Sequence, residues 1–412
     1  MPHDDPEHLR LAEIRDDYTG WRRWGPYLAD RAWGTVREDY SPNGDAWGFL
    51  SHEKARSKAF RWGEDAIAGI SDRFQLLCFA PVFWNGRDPF LKERLFGLTP
   101  REGNHGEDVK EYYFYLDNVP SHSYMKFLYK YPQAEFPYDR LVAENQRREG
   151  RGFEFELLDT GAFAEDRYFD IVIEYAKEGP EDLCVRIKAF NRGPDPAELH
   201  VLPHLWFRNT WAWSGADDPI PEVREGPRST GQMSLLCDDP RLETRAHEPI
   251  YHPLGRRFLD GPAGANALFT DNETHAEVVF GPGASSRSRF VKDAFHRHIV
   301  QGEACVNPAR TGTKAALHYH WPAVPPGNSV TLHLRLSDRE GSRLALEDVD
   351  RVVETRRLQA DAFYETIHPA DATNDERLIQ RQAFAGLLWT KQCYLFDVQK
   401  WLEGDDPEFH PP

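Results

Sequence analysis

The segment Gly103-Asn104-His105-Gly106-Glu107-Asp108-Val109-Lys110-Glu111 sets an amide, an imidazole and several carboxylates between and beside two glycines. Such groups suit two tasks. They can hydrogen-bond sugar hydroxyls, or a carboxylate can serve as general acid or base. The segment runs into Tyr112 to Leu116, an aromatic stretch that reads as a strand. Loops on a rigid scaffold commonly carry function. The competing reading is a solvated hairpin loop whose acids face water. His105, Glu107 and Asp108 are candidate substrate-binding residues on the first reading.

Four Trp-Gly dipeptides, beginning at Trp24, Trp33, Trp47 and Trp62, crowd the first 63 residues. Charged groups are threaded between them, as in Arg61-Trp62-Gly63-Glu64-Asp65. An indole can lie flat on the apolar face of a sugar while its neighbours bind hydroxyls. Each tryptophan can equally be a core anchor. Trp62 and Glu64 join the substrate-binding candidates, although acid clusters such as Arg37-Glu38-Asp39 and Glu64-Asp65 read first as surface charge.

The histidines invite a metal, and the spacing argues against one. His318 and His320 lie two apart in a strand-like run and so share a face. No third ligand with suitable spacing is evident, so they are read as solvent-facing strand residues. His200 and His204 fall in a run broken by Pro203 and are read the same way. Cys393 reads as a packed thiol within an apolar helix. No glycine-rich phosphate loop is present. No metal site and no cofactor are therefore assigned; acidic loops alone do not specify calcium.

The elements that must position these groups are mostly strands. Thr331 to Leu336 alternates apolar and polar, as a strand with one buried face does. Phe169 to Tyr175, Leu183 to Phe190 and Leu317 to Trp321 are similar, and Phe74 to Trp84 suits a strand buried on both faces. Turn signals such as Asn191 to Pro196 and Pro325 to Asn328 separate the runs. Many strands without long intervening helices predict a mainly β protein built on a large antiparallel β-sandwich. From Ser342 the apolar spacing turns helical until Pro369. A single long helix is then predicted over Asn374 to Glu403, with an Asn or Asp cap and Gly404 behind it. Its aromatic residues, including Trp389, Tyr394, Phe396 and Trp401, surround the cylinder, so it expects neighbours on most sides.

Composition narrows the function classes. A formal net charge of −17 argues against nucleic acid, whose binding rests on Lys and Arg contacts to phosphate, and against an anionic membrane surface. No apolar run approaches the ~20 residues of a membrane helix. The acidic start, Met1-Pro2-His3-Asp4-Asp5, is unlike a signal peptide. Five scattered cysteines give neither a disulfide framework nor a cysteine zinc site. A soluble, cytoplasmic protein is expected.

Ordered blocks then carry a resemblance. Arg23 to Leu28, Trp33 to Ser41, Arg61 to Asp65, Trp84 to Pro89, Leu91 to Leu98, Gly103 to Asp108, Tyr129 to Tyr138, Leu205 to Trp211 and Leu388 to Gln392 resemble the N-terminal part of bacterial glycoside hydrolase family 63 proteins, which are processing α-glucosidase-like. The resemblance implies a super-sandwich domain, a helical linker and a catalytic (α/α)6 barrel. It also implies inverting hydrolysis of α-glucosidic bonds in oligosaccharides. The acid and base would then stand ~6.5–9.5 Å apart, both on the barrel.

The 43 residues after Pro369 are far short of such a barrel. The expectation is a truncated chain, or one whose barrel is another polypeptide, inactive alone and with no catalytic residue to assign. The expected organisation is a Trp-Gly-rich segment packing on the sandwich (1–70), the sandwich (71–340), a helical linker (341–369) and the first helix of an incomplete barrel (370–412). Expected partners are an oligosaccharide substrate and the missing C-terminal barrel, with no nucleic acid and no membrane. The alternative is a non-catalytic carbohydrate-binding β-sandwich module.

Overall fold

Apolar runs separated by turn signals become antiparallel strands in a computed structural model, which describes residues 5–14, 20–30, 41, 49–212, 219–227, 230–240, 254–339, 345–393 and 396–404. The first strands are β1 (Trp24–Gly25), β2 (Ile70–Asp72), β3 (Leu77–Trp84), β4 (Gly97–Leu98), β5 (Asp108–Val109) and β6 (Tyr112–Asn118). There follow β7 (Tyr124–Pro132), β8 (Tyr168–Gly179), β9 (Asp182–Asn191), β10 (Ala197–Phe207), β11 (Glu222–Glu225) and β12 (Gln232–Asp238). The last are β13 (Arg257–Pro262), β14 (Asn266–Thr270), β15 (Thr311–Gly312), β16 (Lys314–Val324) and β17 (Ser329–Ser337).

Among the described residues these form a six-stranded sheet, β1-β2-β3-β10-β16-β14, a nine-stranded sheet, β15-β11-β12-β13-β17-β9-β8-β7-β6, and a separate β4-β5 pair. The main core lies between the two large sheets. Phe79, Phe83, Leu205 and Leu317 come from the smaller sheet and meet Phe127, Ile171, Val185 and Leu334 from the larger. The period-2 reading holds in β9, where Val185, Ile187 and Ala189 are buried and Arg186, Lys188 and Phe190 are less so. β3 is buried on both faces, because chain segments cover the outer side of the smaller sheet.

The expected break at Pro203 is absent. β10 runs through it, with Pro203 in register with Pro81 of β3. Pairing with β16 lapses at Leu202 and Pro203 and resumes at His204. A local gap is the physical result of a strand residue that has no N–H to donate. Pairing on both sides holds the rest of the strand.

The helices are α1 (Pro6–Glu13), α2 (His52–Ala55), α3 (Tyr138–Arg148), α4 (Ala276–Phe280), α5 (Ala294–Gln301), α6 (Val349–Glu365), α7 (Asn374–Trp389) and α8 (Val398–Glu403). Val349, Val352, Val353 and Phe363 of α6 pack with Val119, Tyr124 and Cys184. The helix predicted over 374–403 is two helices. Thr373 rather than Asn or Asp caps α7, through a reciprocal capping box with Glu376. α7 stops at Trp389, and the backbone then leaves the helix to pair with the N-terminal segment: the Cys393 N–H donates to the Tyr27 carbonyl at 3.1 Å. Cys393 is thus in the connection between helices and not inside one; Tyr394 lies outside the described residues. Gly404 ends α8 at φ +89°, as expected of a left-handed helix terminus.

The face of α7 is divided. Ala385 and Trp389 are buried in the main core, and the Trp389 indole N–H donates to the Asp117 carbonyl at 3.0 Å. Leu378, Ile379 and Leu387 of α7, with Val398 and Leu402 of α8, are exposed. The expectation of neighbours on most sides is met on one side only among the described residues.

Candidate functional site

Alternate residues of β3, β10 and β16 share the outer face of the six-stranded sheet. His204 is registered with Ala80 and Ala316, and His200 with Trp84 and His320. An apolar patch of Val82, Leu202, Leu268, Ala316 and Phe295 occupies the middle of this face. Polar groups gather at both ends of it.

One end is a small cavity of ≈ 20 Å³ lined by Glu64, Asp65, Glu93, Arg94, His204, Asn272, Lys292 and Lys314, among others. The charges are paired. Arg94 grips Asp65 with two nitrogens, at 2.9 and 3.0 Å. Lys314 donates to Glu93 at 2.8 Å, and Lys292 stands 3.9 Å from Glu64. The Asn272 amide donates to Glu64 at 2.9 Å. Aromatic faces supply further contact: the Lys292 ammonium lies 4.0 Å from the Phe60 ring centre.

Burial sets the protonation here. It pushes the Glu64 carboxyl up and pulls the Lys292 ammonium down to about 8, against their mutual attraction. His204 is pulled down to about 3 by burial and by Lys314. Burial also works to raise Glu93, but Lys314, His204 and Arg94 outweigh it and hold that carboxyl well below its usual range. A raised carboxyl beside a lowered ammonium can share or pass a proton, which is why such pairs are functional-site candidates. The volume limits what can reach them. One buried water needs roughly 10–15 Å³, whereas ligand pockets run to about 300 Å³ or more, so the cavity admits water and no sugar ring.

The other end is open. The Glu198 carboxylate oxygen Oε1 lies 3.0 Å from His200 Nε2 and 2.8 Å from His320 Nε2. His200 Nδ1 is 2.7 Å from His318 Nε2. These ligand-type atoms of Glu198, His200 and His320 all lie within 4.8 Å of one another. The solvent-facing reading thus fails for His200, which is buried, and for His204, which lines the cavity. It holds for His320, which is exposed. The third ligand that spacing within β16 could not supply comes from the neighbouring strand.

The other sequence candidates fall elsewhere. His105 is exposed and pairs through Nδ1 with Glu154 at 2.8 Å. Asp108 is exposed and Glu107 half-buried. The buried Lys110 ammonium sits among Asp108, Glu154 and Glu156 at 3.2, 2.6 and 2.7 Å. That carboxylate trio already holds a cation, the lysine itself. Gly103 anchors the loop: at φ +86°, a Cβ there would stand 2.2 Å from the Asn145 carbonyl of α3. Trp62 is not an open sugar platform; it is buried, edge-on to Phe396 and under Arg61. Glu64 is not surface charge but part of the cavity. Trp24 is a core anchor, while Trp33, Trp47 and Arg37 to Asp39 lie outside the described residues. Sequence reasoning passed over Glu93, Lys292, Lys314 and Glu198. A signal existed for two of them: Lys314 opens an otherwise apolar run, and Glu198 shares the parity of His200.

Comparison with known proteins adds a relative and partial structural overlaps. No family model matches. An uncharacterized protein of Saccharomyces cerevisiae is 42% identical over 433 residues, covering 97% of this chain and 39% of its own length. The chain therefore spans about two-fifths of the relative it matches. Among solved structures, a polysaccharide lyase is similar at 10% identity and a TM-score of 0.29, covering 70% of this chain and 28% of that one. A putative kojibiose phosphorylase from the human microbiome is similar at 9% and 0.24, covering 81% and 36%. A putative aldose 1-epimerase from Escherichia coli is similar at 9% and 0.22, covering 54% and 67%. All three names are those of carbohydrate enzymes, at overlaps too partial to carry a functional argument. No described helix is long and apolar enough to cross a membrane.

Proposed function

We propose that these residues form the β-sandwich part of an inverting glycoside hydrolase acting on α-glucosidic bonds of oligosaccharides. The acid and base would stand on a separate helical domain. The observation that carries this reading is the divided face of α7. Trp389 and Ala385 fix the helix to the sandwich, while Leu378, Ile379 and Leu387 present an apolar surface outward. A helical domain is a fitting cover for such a surface. The ordered sequence blocks support the family. The small cavity supports a division of labour, because its charged groups have no room for a sugar. On this reading the exposed loop of His105, Glu107 and Asp108 would line one side of a pocket completed by the helical domain.

The exposed loop also favours a second reading, a carbohydrate-binding sandwich without catalysis. Hydrolysis assays separate the two. The 412 residues alone should not turn over maltose or longer α-gluco-oligosaccharides. A chain extended by the region matching the remainder of the yeast relative should do so, with inversion at the anomeric carbon. Turnover by the 412 residues alone overturns the division of labour. Absence of turnover in the extended chain, with oligosaccharide binding retained, favours the binding module.

A further inference from the structure

We infer that Glu198, His200 and His320 form a binding site for a divalent transition-metal ion of the zinc type, on the open end of the outer sheet face. The inference does not depend on the proposed hydrolase function. It starts from topology. His200 and His320 are direct partners across the β10–β16 ladder, so both side chains rise from the same face of the sheet. Glu198 precedes His200 by two residues and returns to that face. Its Oε1 already stands between the two Nε2 atoms. Two imidazoles and one carboxylate converging on a point is a donor set that zinc accepts, with solvent free to complete the coordination.

The surroundings fix this arrangement. The rings of His318, His200 and His320 are stacked, with His200 5.0 Å from His318 and 4.0 Å from His320, each at 15°. Trp84 backs His200 with ring centres 4.9 Å apart. Gly86 clears the carboxylate: a Cβ there would stand 2.4 Å from Glu198 Oε2. His318 supplies the outer contact that metal-bound imidazoles characteristically have. With the ion on His200 Nε2, the His200 proton sits on Nδ1 and donates to His318 Nε2 at 2.7 Å.

Charge and protonation agree with this placement. Burial pulls His200 down and His318 down to about 4, so both imidazoles are neutral at neutral pH. For His200, coordination then requires only that its proton sit on Nδ1, where His318 accepts it. Burial works to raise Glu198, but its hydrogen bonds to His200 and His320 hold it below its usual range and therefore ionised. The donor set excludes calcium and magnesium, which prefer all-oxygen shells, and suits zinc, nickel or copper. The contrast with Asp108, Glu154 and Glu156 is instructive. There Lys110 fills the centre, whereas no lysine or arginine stands among the atoms named around Glu198.

The test uses the full chain, stripped with chelator and titrated with ZnCl2 by calorimetry, and with Co2+ followed by visible absorption. One ion per chain should bind saturably, and the Co2+ spectrum should show d–d bands without the thiolate charge-transfer band that a cysteine ligand would add. His320→Asn, at an exposed position, and Glu198→Gln, at a half-buried one, should each weaken binding at least 10-fold. His318→Asn should weaken it less, and Glu154→Gln in the Lys110 cluster should leave it unchanged. Circular dichroism and thermal melting of each variant confirm folding. Absence of saturable binding in the folded wild type overturns the site. So does binding that persists in the folded Glu198→Gln/His320→Asn double variant, or a thiolate band in the Co2+ spectrum.

Discussion

The two ends of one sheet face carry the same kinds of side chain and arrive at opposite states. At the closed end Glu64, Asp65 and Glu93 are matched by Arg94, Lys292 and Lys314 around a cavity of ≈ 20 Å³. At the open end the half-buried Glu198 meets the imidazoles of His200 and His320, and His318 stands behind His200. Enclosure forces the closed end to balance its charges internally, since an isolated ion there is very costly. Access lets the open end keep lone pairs that can be turned toward an ion. The difference teaches that a cluster of titratable residues announces chemistry only where solvent or substrate can reach it.

The largest effect should come from breaking the closed end. Lys314→Ala would leave Glu93, whose side chain is only 11% exposed, without its nearest cation, and should cost about 3–5 kcal/mol in urea unfolding. The paired change Lys314→Met with Glu93→Leu should recover most of that loss, because similar-sized apolar groups need no partner. A single variant that loses less than about 1 kcal/mol would mean that water relieves the unpaired carboxylate, as at an exposed pair, and the contrast between the ends would collapse.

Acid should strain both ends, and a variant separates them. The folded pKa of His318, about 4, lies below its ordinary value of 6.5, so the unfolded chain takes up a proton first as pH falls. Stability from this group is complete above about 6.5 and is lost as pH falls toward 4. His200 is shifted the same way. His318→Asn should therefore reduce the slope of stability against pH between 4 and 6.5. His204 and His296, also pulled down to about 3 and about 4, should preserve the remainder. An unchanged slope in thermal melts would show that His318 is as well hydrated folded as unfolded.

Alkali should report the closed end together with Lys177, a buried lysine elsewhere whose ammonium burial pulls down to about 7. Lys292 releases its proton at about 8 when folded but only near 10.5 when unfolded. Between those values the unfolded chain binds more protons, so this group adds stability as pH rises. Lys292→Met should flatten that rise. Lys177 should sustain the remainder, and a slope wholly unchanged in the variant would assign the titration away from Lys292.

The same contrast explains what the sequence disclosed. Sheet architecture was legible, because alternation in β9 and β17 and turn residues such as Gly327 act locally. The strand through Pro203 was not, since pairing on both sides of β10 overrides the local break. The end of α7 was hidden too, because a tertiary bond from Cys393 to Tyr27 competes with helix continuation. For the sites, the loop of His105 was visible because its residues are contiguous. The histidine cluster was missed for the opposite reason: its members sit 120 residues apart in His200 and His320, and register alone joins them. Glu64 was misread as surface charge, for nothing local to Arg61-Trp62-Gly63-Glu64-Asp65 shows that Lys292 and Asn272 will cover it.

The smallest effect belongs to the Lys110 cluster, which is intermediate between the two ends. Its ammonium is buried, as at the closed end, yet Asp108 is exposed, as at the open one. Asp108→Asn removes the longest of three contacts, 3.2 Å, and leaves Glu154 and Glu156 at 2.6 and 2.7 Å to hold the lysine. Exposed ion pairs contribute roughly 0–1 kcal/mol, so the variant should lose no more than about 0.5 kcal/mol in urea unfolding. Glu154 is the more enclosed partner: it accepts from Lys110 and from the His105 backbone N–H and meets ring Nδ1 of His105, contacts that outweigh its burial and hold its carboxyl down at about 2. Glu154→Gln should therefore cost more than Asp108→Asn. Equal losses would mean that all three carboxylates are equally screened, and that exposure does not grade this cluster as it grades the two ends of the sheet face.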